Sequence, residues 1–416
     1  MKTPRRPAIR PTSRPRAANA APPIEIDARR LPPLGMPAAR FLADYWQRRP
    51  LLIRSAFADF ASPITPEDLA GLACEELALS RLVTHERRRD RWTLRSGPFE
   101  ETDFTSLPTS DWTLLVQDVD KWDADVAALL PHFDFLPNWR VDDVMVSYAA
   151  DGGSVGAHVD QYDVFLLQGI GRRRWQISTD PAASLAFRDD TELKLLQRFE
   201  ATHEWLLEPG DMLYLPPGVP HHGVAEGPCL TLSIGMRAPS RAELIVDHAE
   251  FVAERLAESD RYGDAGMAPA RRPGEIDPAT IERLAGLLGG TATTGPDGIA
   301  AWFVGFITRY RSAQWVAPRP RPLDAAAFER QLTRGDALLR NPWSRCAWVA
   351  DGRQTLLGVA GSTHRCSRML AQRLCAQAEL TAAEVQALAP ADRAVVLALV
   401  NAGHYALLGR RTRSRR

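Results

Sequence analysis

At 416 residues and 45% apolar content, the chain exceeds one ordinary core and can bury several, so two or three domains are expected. No run approaches the roughly 20 apolar residues that cross a bilayer, and the basic N-terminus lacks the apolar stretch of a secretory signal. Five scattered cysteines without a Cys-x-x-Cys pair argue against a disulfide framework or zinc knuckle and fit a reducing cytoplasm. The net charge of zero hides an uneven distribution: residues 1–24 hold six Lys or Arg and no acid, and residues 410–416 hold five Arg. Without those eleven, 40 basic residues stand against 51 acidic ones, an acidic body between two cationic tails. Such tails suit contact with RNA or serve as solubilising ends; with Arg outnumbering Lys 48 to 3, part of their character is compositional bias.

In chain order, residues 1–24 have no apolar periodicity and read as a disordered basic tail. Met36 to Arg49 places Phe41, Leu42, Tyr45 and Trp46 at helical spacing, stopped by Pro50 before the short strand Leu51 to Arg54. A helix over Glu67 to Leu77, strands over Ser80 to Glu86, Arg91 to Leu94 and Asp111 to Val119, and a helix over Ala124 to His132 follow. From Asp143 short strands crowd together: Val144 to Tyr148, Asp163 to Gln168, Arg172 to Ser178, Glu204 to Leu207, Met212 to Leu215 and Leu230 to Gly235. Turn signals separate them, among them Gly169-Ile170-Gly171 and Pro216-Pro217-Gly218. The pattern predicts a sandwich or barrel, such as a cupin-like double-stranded β-helix.

Beyond Met236 helical periods take over (Arg241 to Glu258, Pro278 to Leu288, Ile299 to Arg311), too few for a domain and so expected to pack on the barrel or on a second copy. Pro318 to Pro322 reads as a stiff linker. A helix (Asp324 to Thr333), a hairpin (Arg345 to Ala350 and Thr355 to Val359 around Asp351-Gly352) and three more helical stretches to about Asn401 suit a winged helix, a module that binds nucleic acid or protein.

The chemistry concentrates in Ser154 to Ser178. His158 and Asp160 are two apart, so in a strand they share a face and offer one ion a nitrogen and a carboxylate oxygen. That is two-thirds of a 2-His-1-carboxylate site for Fe(II) with open positions. Leu207 to Gly227 supplies the third ligand from His221 or His222, which point to opposite faces of an extended segment. The remaining histidines lack partners at ligand spacing. Arg172, Arg173 and Arg174 offer a planar fork for a carboxylate, and alternation turns the middle one opposite to its neighbours.

These segments, AHVDQYDVFLLQGIGRRRWQIS with MVSYA before and LEPGDMLYLPPGVPHHG after, resemble the bacterial JmjC-type ribosomal oxygenases, the arginine 3-hydroxylases of the 2-oxoglutarate-dependent cupin superfamily. The resemblance implies an α+β chain: a JmjC/cupin catalytic domain over 25–239, a helical dimerisation region over 240–317, a winged-helix domain over 318–409 and a basic tail over 410–416. It implies Fe(II) on His158, Asp160 and His221, and the distal carboxylate of 2-oxoglutarate on Arg173 with help from Ser147. Tyr162 and Asp151 become substrate-pocket candidates, Asp151 because a guanidinium wants a carboxylate. The implied reaction hydroxylates the β-carbon of an arginine in a large-subunit ribosomal protein, in the cytoplasm, by a homodimer. The tails are not part of the family's core pattern. The competing reading is a non-catalytic cupin with a winged helix, acting as a nucleic-acid-binding or assembly factor.

Overall fold

In the computed structural model, residues 21–263, 265, 278–289, 296–309, 316–351 and 354–409 are described. The charged residues of both tails lie outside them, as do Gly352 and the last two positions expected of the helix ending at Arg311. Strands β1 (Glu25–Asp27), β2 (Leu51–Arg54), β3 (Ser80–Glu86), β4 (Arg91–Ser96), β5 (Trp112–Val116), β6 (Val141–Ala149), β7 (Val164–Ile177), β8 (His203–Leu207), β9 (Met212–Leu215) and β10 (His221–Met236) join one sheet. Its order is β1-β2-β9-β7-β10-β6-β5-β3-β4, with β8 beside β7. All pairings are antiparallel except β1 with β2.

Alternation sorts the apolar side chains onto two faces. Phe165 and Leu167 of β7 pack with Met212 and Tyr214 of β9 against Phe41 and Tyr45, while Val164 and Leu166 turn the other way with Leu213 and Leu215. The second face is the inside of a curled sheet: residues of β3, β4, β5, β6, β7 and β10 line one shared cavity. Several helices come out shorter than their apolar spacing predicts, two of them for a visible reason. The first ends at Asp44 because Gln47 adopts φ 55°, its N–H held by the Tyr214 hydroxyl at 2.8 Å and its amide donating to Asp163 at 3.0 Å. The second breaks into Ala124–Ala127 and a tight turn over Leu130–Phe133, where Pro131 cannot continue a helical ladder.

The expected turn at Gly169-Ile170-Gly171 is not a turn. β7 runs unbroken for 14 residues and pairs along its length with the 16-residue β10. The register shifts twice between the two halves: Arg172 faces Glu226, Ile170 faces Leu230 and Gln168 faces Thr231, so β10 carries two extra residues in the first step and β7 one in the second. This is a bulge; because the side-chain period is two, the single extra residue of β7, Gly169, exchanges that strand's faces, while the two of β10 leave its faces unchanged. Even-numbered Val164 and Leu166 point inward before it, and odd-numbered Arg173 and Trp175 line the same cavity after it. Gly171 sits in the first of these shifts at φ 63°, where a Cβ would meet the Pro228 carbonyl oxygen at 2.2 Å. Gly171→Ala is therefore expected to cost about 1–3 kcal/mol of stability for the left-handed backbone alone. In urea unfolding the midpoint falls.

After β10, Ser240 caps the helix Arg241–Ala253 through a reciprocal bond with Glu243. Trp302, Phe306 and Ile307 of the helix Pro296–Thr308 pack with Leu244, Phe251 and Trp139, and also with Ala347 of the C-terminal part. That part holds two three-stranded sheets, one from β11 (Ala337–Arg340), β15 (Glu379–Leu380) and β16 (Tyr405–Leu408), the other from β12 (Cys346–Asp351), β13 (Gln354–Val359) and β14 (Ser362–Cys366). The sequence shows only β12 and β13; Ala360 and Gly361, both at positive φ, turn the chain into the third strand. Phe328, Leu357, Leu374, Leu399 and Tyr405 are among the core of this domain.

Candidate metal centre

His158 does not sit in a regular strand. It forms an isolated antiparallel bridge with His221, the two residues exchanging N–H to carbonyl bonds of 3.0 Å in both directions. Asp160 follows in a loop whose carbonyl accepts the Gly218 N–H at 2.8 Å, so the Pro-Pro-Gly turn before β10 is tied to it. His158 and Asp160 do come together, but through different local structure: a bridge and a loop juxtapose what a strand was expected to align. Nitrogen and oxygen atoms of His158, Asp160 and His221 all lie within 4.8 Å of one another. His158 Nε2 is 4.0 Å from Asp160 Oδ1, and His221 Nε2 is 3.6 Å from Oδ2.

Both rings are oriented from behind. His158 Nδ1 bonds the Gly156 carbonyl at 3.0 Å and His221 Nδ1 bonds the Val219 carbonyl at 2.9 Å. A carbonyl only accepts, so each Nδ1 carries the proton and each Nε2 presents its lone pair to the shared space. Burial, with His158 close by, holds His221 well below the usual imidazole range and keeps it neutral, the form that binds metal. Burial pushes the Asp160 carboxyl up, partly offset by His158. A half-buried carboxylate set between two imidazoles is stabilised by a cation. His222 is turned away: its ring meets Phe199 edge-on with centroids 6.0 Å apart.

The cavity beside the triad measures about 520 Å³. As alternation requires, Arg173 is buried at 2% exposure, while Arg172 is exposed and Arg174 pairs outside with Glu204 and Glu226. Arg173 reaches Ser147 Oγ at 3.4 Å and the Gly223 carbonyl at 3.3 Å, both long bonds, and its Nε has no hydrogen-bond partner among the described residues. A Cβ at Gly223 would come within 2.8 Å of that Nε, so glycine there leaves the guanidinium its room. Burial lowers the Arg173 pKa, the signature of a cation without a compensating anion. Two imidazoles, one carboxylate and an under-bonded buried guanidinium fit a divalent iron and a dicarboxylic 2-oxo acid.

Tyr162 lines the cavity at 41% exposure, beside Asp160. Asp151 is not brought into the lining; it is exposed, and its Oδ1 accepts the Gly227 N–H at 2.7 Å, on the turn that opposes the β7 bulge. Residues not singled out from the sequence also line the cavity: Arg81, Asp143, Thr231, Ser233 and the stretch Glu192–Leu195. Asp143 is accessible from period two, since 143, 145 and 147 share a face of β6. Burial, with Asp118 alongside, pushes its carboxyl up to about 7. The 192–195 stretch has no local signal, because it is placed by Leu196 N–H bonding the Ala157 carbonyl at 2.8 Å and by Leu195 packing on Gly156.

Residues 128–244 match the JmjC domain family, and residues 289–406 match the ROXA-like winged helix family. The ribosomal protein uL16 3-hydroxylase of Escherichia coli K12 is 36% identical over 366 residues, 88% of this chain and 96% of that protein. A probable ribosomal oxygenase of Haemophilus influenzae is 42% identical over 206 residues, 49% of this chain and 50% of its own. The solved structure of an Escherichia coli ribosomal oxygenase in complex with cobalt and 2-oxoglutarate superposes with a TM-score of 0.76 at 34% identity, over 90% of this chain and 99% of that one.

Proposed function

This chain belongs to the JmjC-type ribosomal oxygenases, and from that premise we propose that it hydroxylates the β-carbon of an arginine in a large-subunit ribosomal protein, uL16 by the name of its Escherichia coli relative. It is an Fe(II)- and 2-oxoglutarate-dependent protein hydroxylase of α+β build, a JmjC cupin core followed by a winged helix. The observation that carries the reading is the His158, Asp160 and His221 cluster facing the same cavity as the under-bonded Arg173.

We assign the metal to His158, Asp160 and His221 and the distal carboxylate of 2-oxoglutarate to Arg173 and Ser147. When bound, iron and 2-oxoglutarate supply the oxidising power to insert one oxygen atom of dioxygen into a C–H bond, with succinate and carbon dioxide released. The chain's own part is geometric and electrostatic. The carbonyls of Gly156 and Val219 hold the two rings with Nε2 forward. Arg173 binds its carboxylate in a buried place where that charge pair is strong, and Val164, Leu166 and Trp175 keep water from the inner wall. Tyr162 at the rim and Asp151 on the exposed turn are assigned to the incoming substrate, Asp151 through the oxygen left by its bond to Gly227.

Further partners follow the same reading. Ile245, Val246, Ile281, Leu284, Leu287 and Leu288 are exposed apolar residues of the helical region over 240–317, which supports a homodimer through it. The winged helix is assigned to 318–409. The tails 1–24 and 410–416 are assigned to RNA near the substrate, and a ribosomal target places the work in the cytoplasm. Among the described residues no helix is long and apolar enough to cross a membrane. Purified protein with Fe(II), 2-oxoglutarate and uL16 is expected to raise the mass of uL16 by one oxygen on an arginine; an unchanged uL16 in the presence of active metal-loaded protein rejects this substrate.

A further inference from the structure

Arg345 ties the winged-helix domain to the start of β6, and Asn138 and Trp122 tie the segments ahead of it to the same domain. Arg345 Nη1 donates to the Val141 carbonyl at 2.6 Å, and Nη2 donates to the Asp142 carbonyl and to Asp142 Oδ1, the latter at 2.7 Å. Its side chain is only 13% exposed. Asn138, just ahead of β6, donates to the carbonyls of Cys346 and Cys375 at 3.2 and 3.3 Å. Trp343 meets Trp122 edge-on with centroids 5.9 Å apart. A fork held on two successive carbonyls and a carboxylate fixes backbone direction, not merely proximity.

What is held there belongs to the reacting cavity. Asp142 and Asp143 both line it, on the strand that also carries Met145 and Ser147. Ser147 is five residues on from Asp142, roughly 17 Å along an extended strand, so the held end lies away from Arg173. With Asp142 ion-paired to Arg345, Asp143 is the neighbouring carboxylate; its Oδ2 accepts the Asp118 N–H at 3.1 Å. Asp143 and Arg81 both line the cavity, and both act electrostatically on Tyr162, Asp143 more strongly.

We propose that Arg345, a residue of the winged-helix domain, is a positioning residue for the substrate end of the cavity, holding the start of β6 so that Asp143 receives the cationic side chain presented for hydroxylation. The proposal rests on the hydroxylase reading. The winged helix is then a structural part of the oxygenase site, besides any binding surface of its own.

The test compares Arg345→Met and Asp142→Asn in the full-length protein, with purified uL16 as the probe. Arg345→Met is expected to raise KM for uL16 about tenfold, the size of a lost charged hydrogen bond, with KM for 2-oxoglutarate within about twofold of wild type. Amides over 141–144 exchange hydrogen faster. Asp142→Asn, which keeps both backbone contacts, gives a smaller rise of the same kind, and the double variant is no worse than Arg345→Met alone. An unchanged KM for uL16, or equal rises for uL16 and 2-oxoglutarate, overturns the proposal. If wild type fails to turn over uL16, the hydroxylase reading falls instead, and the exchange measurement decides the clamp: unaltered exchange in Arg345→Met rejects it.

Discussion

His158→Ala and Asp160→Ala are each expected to abolish uL16-dependent succinate release, a fall beyond the roughly 10–100-fold that follows loss of a partner behind a metal ligand. Three donor atoms from these residues and His221 lie within 4.8 Å of one another, and no further His, Cys, Asp or Glu among the described residues joins that group. Removing one leaves two donors for an ion whose binding is proposed to need three. His222→Ala is the control. That ring faces Phe199, so metal content and turnover stay within about twofold of wild type, the range of substitutions away from special features. The metal-free variants should unfold no earlier than the wild type by more than about 1 kcal/mol, because burial already disfavours charge at Asp160 and its removal takes away a desolvation cost. Metal content by elemental analysis separates lost ligation from lost turnover; full activity in both ligand variants would overturn the assignment.

Short β-prone runs with clear flanking signals are legible: β3 and β9 occupy Ser80–Glu86 and Met212–Leu215, as the sequence predicts. Legibility fails where a distant partner decides the local shape. Gly169-Ile170-Gly171 carries every sign of a turn, and it becomes a bulge because β10 pairs across it, with Gly171 against Pro228. Alternation correctly turns Arg173 opposite to Arg172 and Arg174, but which of the two faces looks inward depends on that bulge. His158 and Asp160 are found through a strand they do not form, since the backbone exchange with His221 joins residues 63 positions apart. The loop over Glu192–Leu195 shows the same limit: neither composition nor period marks it, and it lines the cavity by packing over Gly156. Asp151 stands out by its charge alone, and charge does not say which way a turn will face.

Arg173→Met is expected to move two measurements in opposite directions. A buried ion without its partner is costly, and replacing buried charge by apolar volume is often neutral or stabilising by about 1–4 kcal/mol. Arg173 is 2% exposed, its Nε has no partner among the described residues, and its two other bonds are 3.3 and 3.4 Å long. The free protein therefore loses little with it, and the thioether of the Arg173→Met variant would lie against Trp175, over which the guanidinium now sits at 5.1 Å. The ligand, by contrast, would lose the bidentate charged contact proposed for it, worth about 2–5 kcal/mol, which is roughly 30- to several-thousand-fold in affinity. In thermal denaturation the variant melts at or above the wild-type temperature without ligand, and 2-oxoglutarate no longer raises that temperature. Arg173→Lys keeps the charge but not the planar fork, so it recovers only part of the shift. A variant that melts lower when free yet keeps its full response to 2-oxoglutarate would make Arg173 a structural residue and move the carboxylate site elsewhere in the cavity.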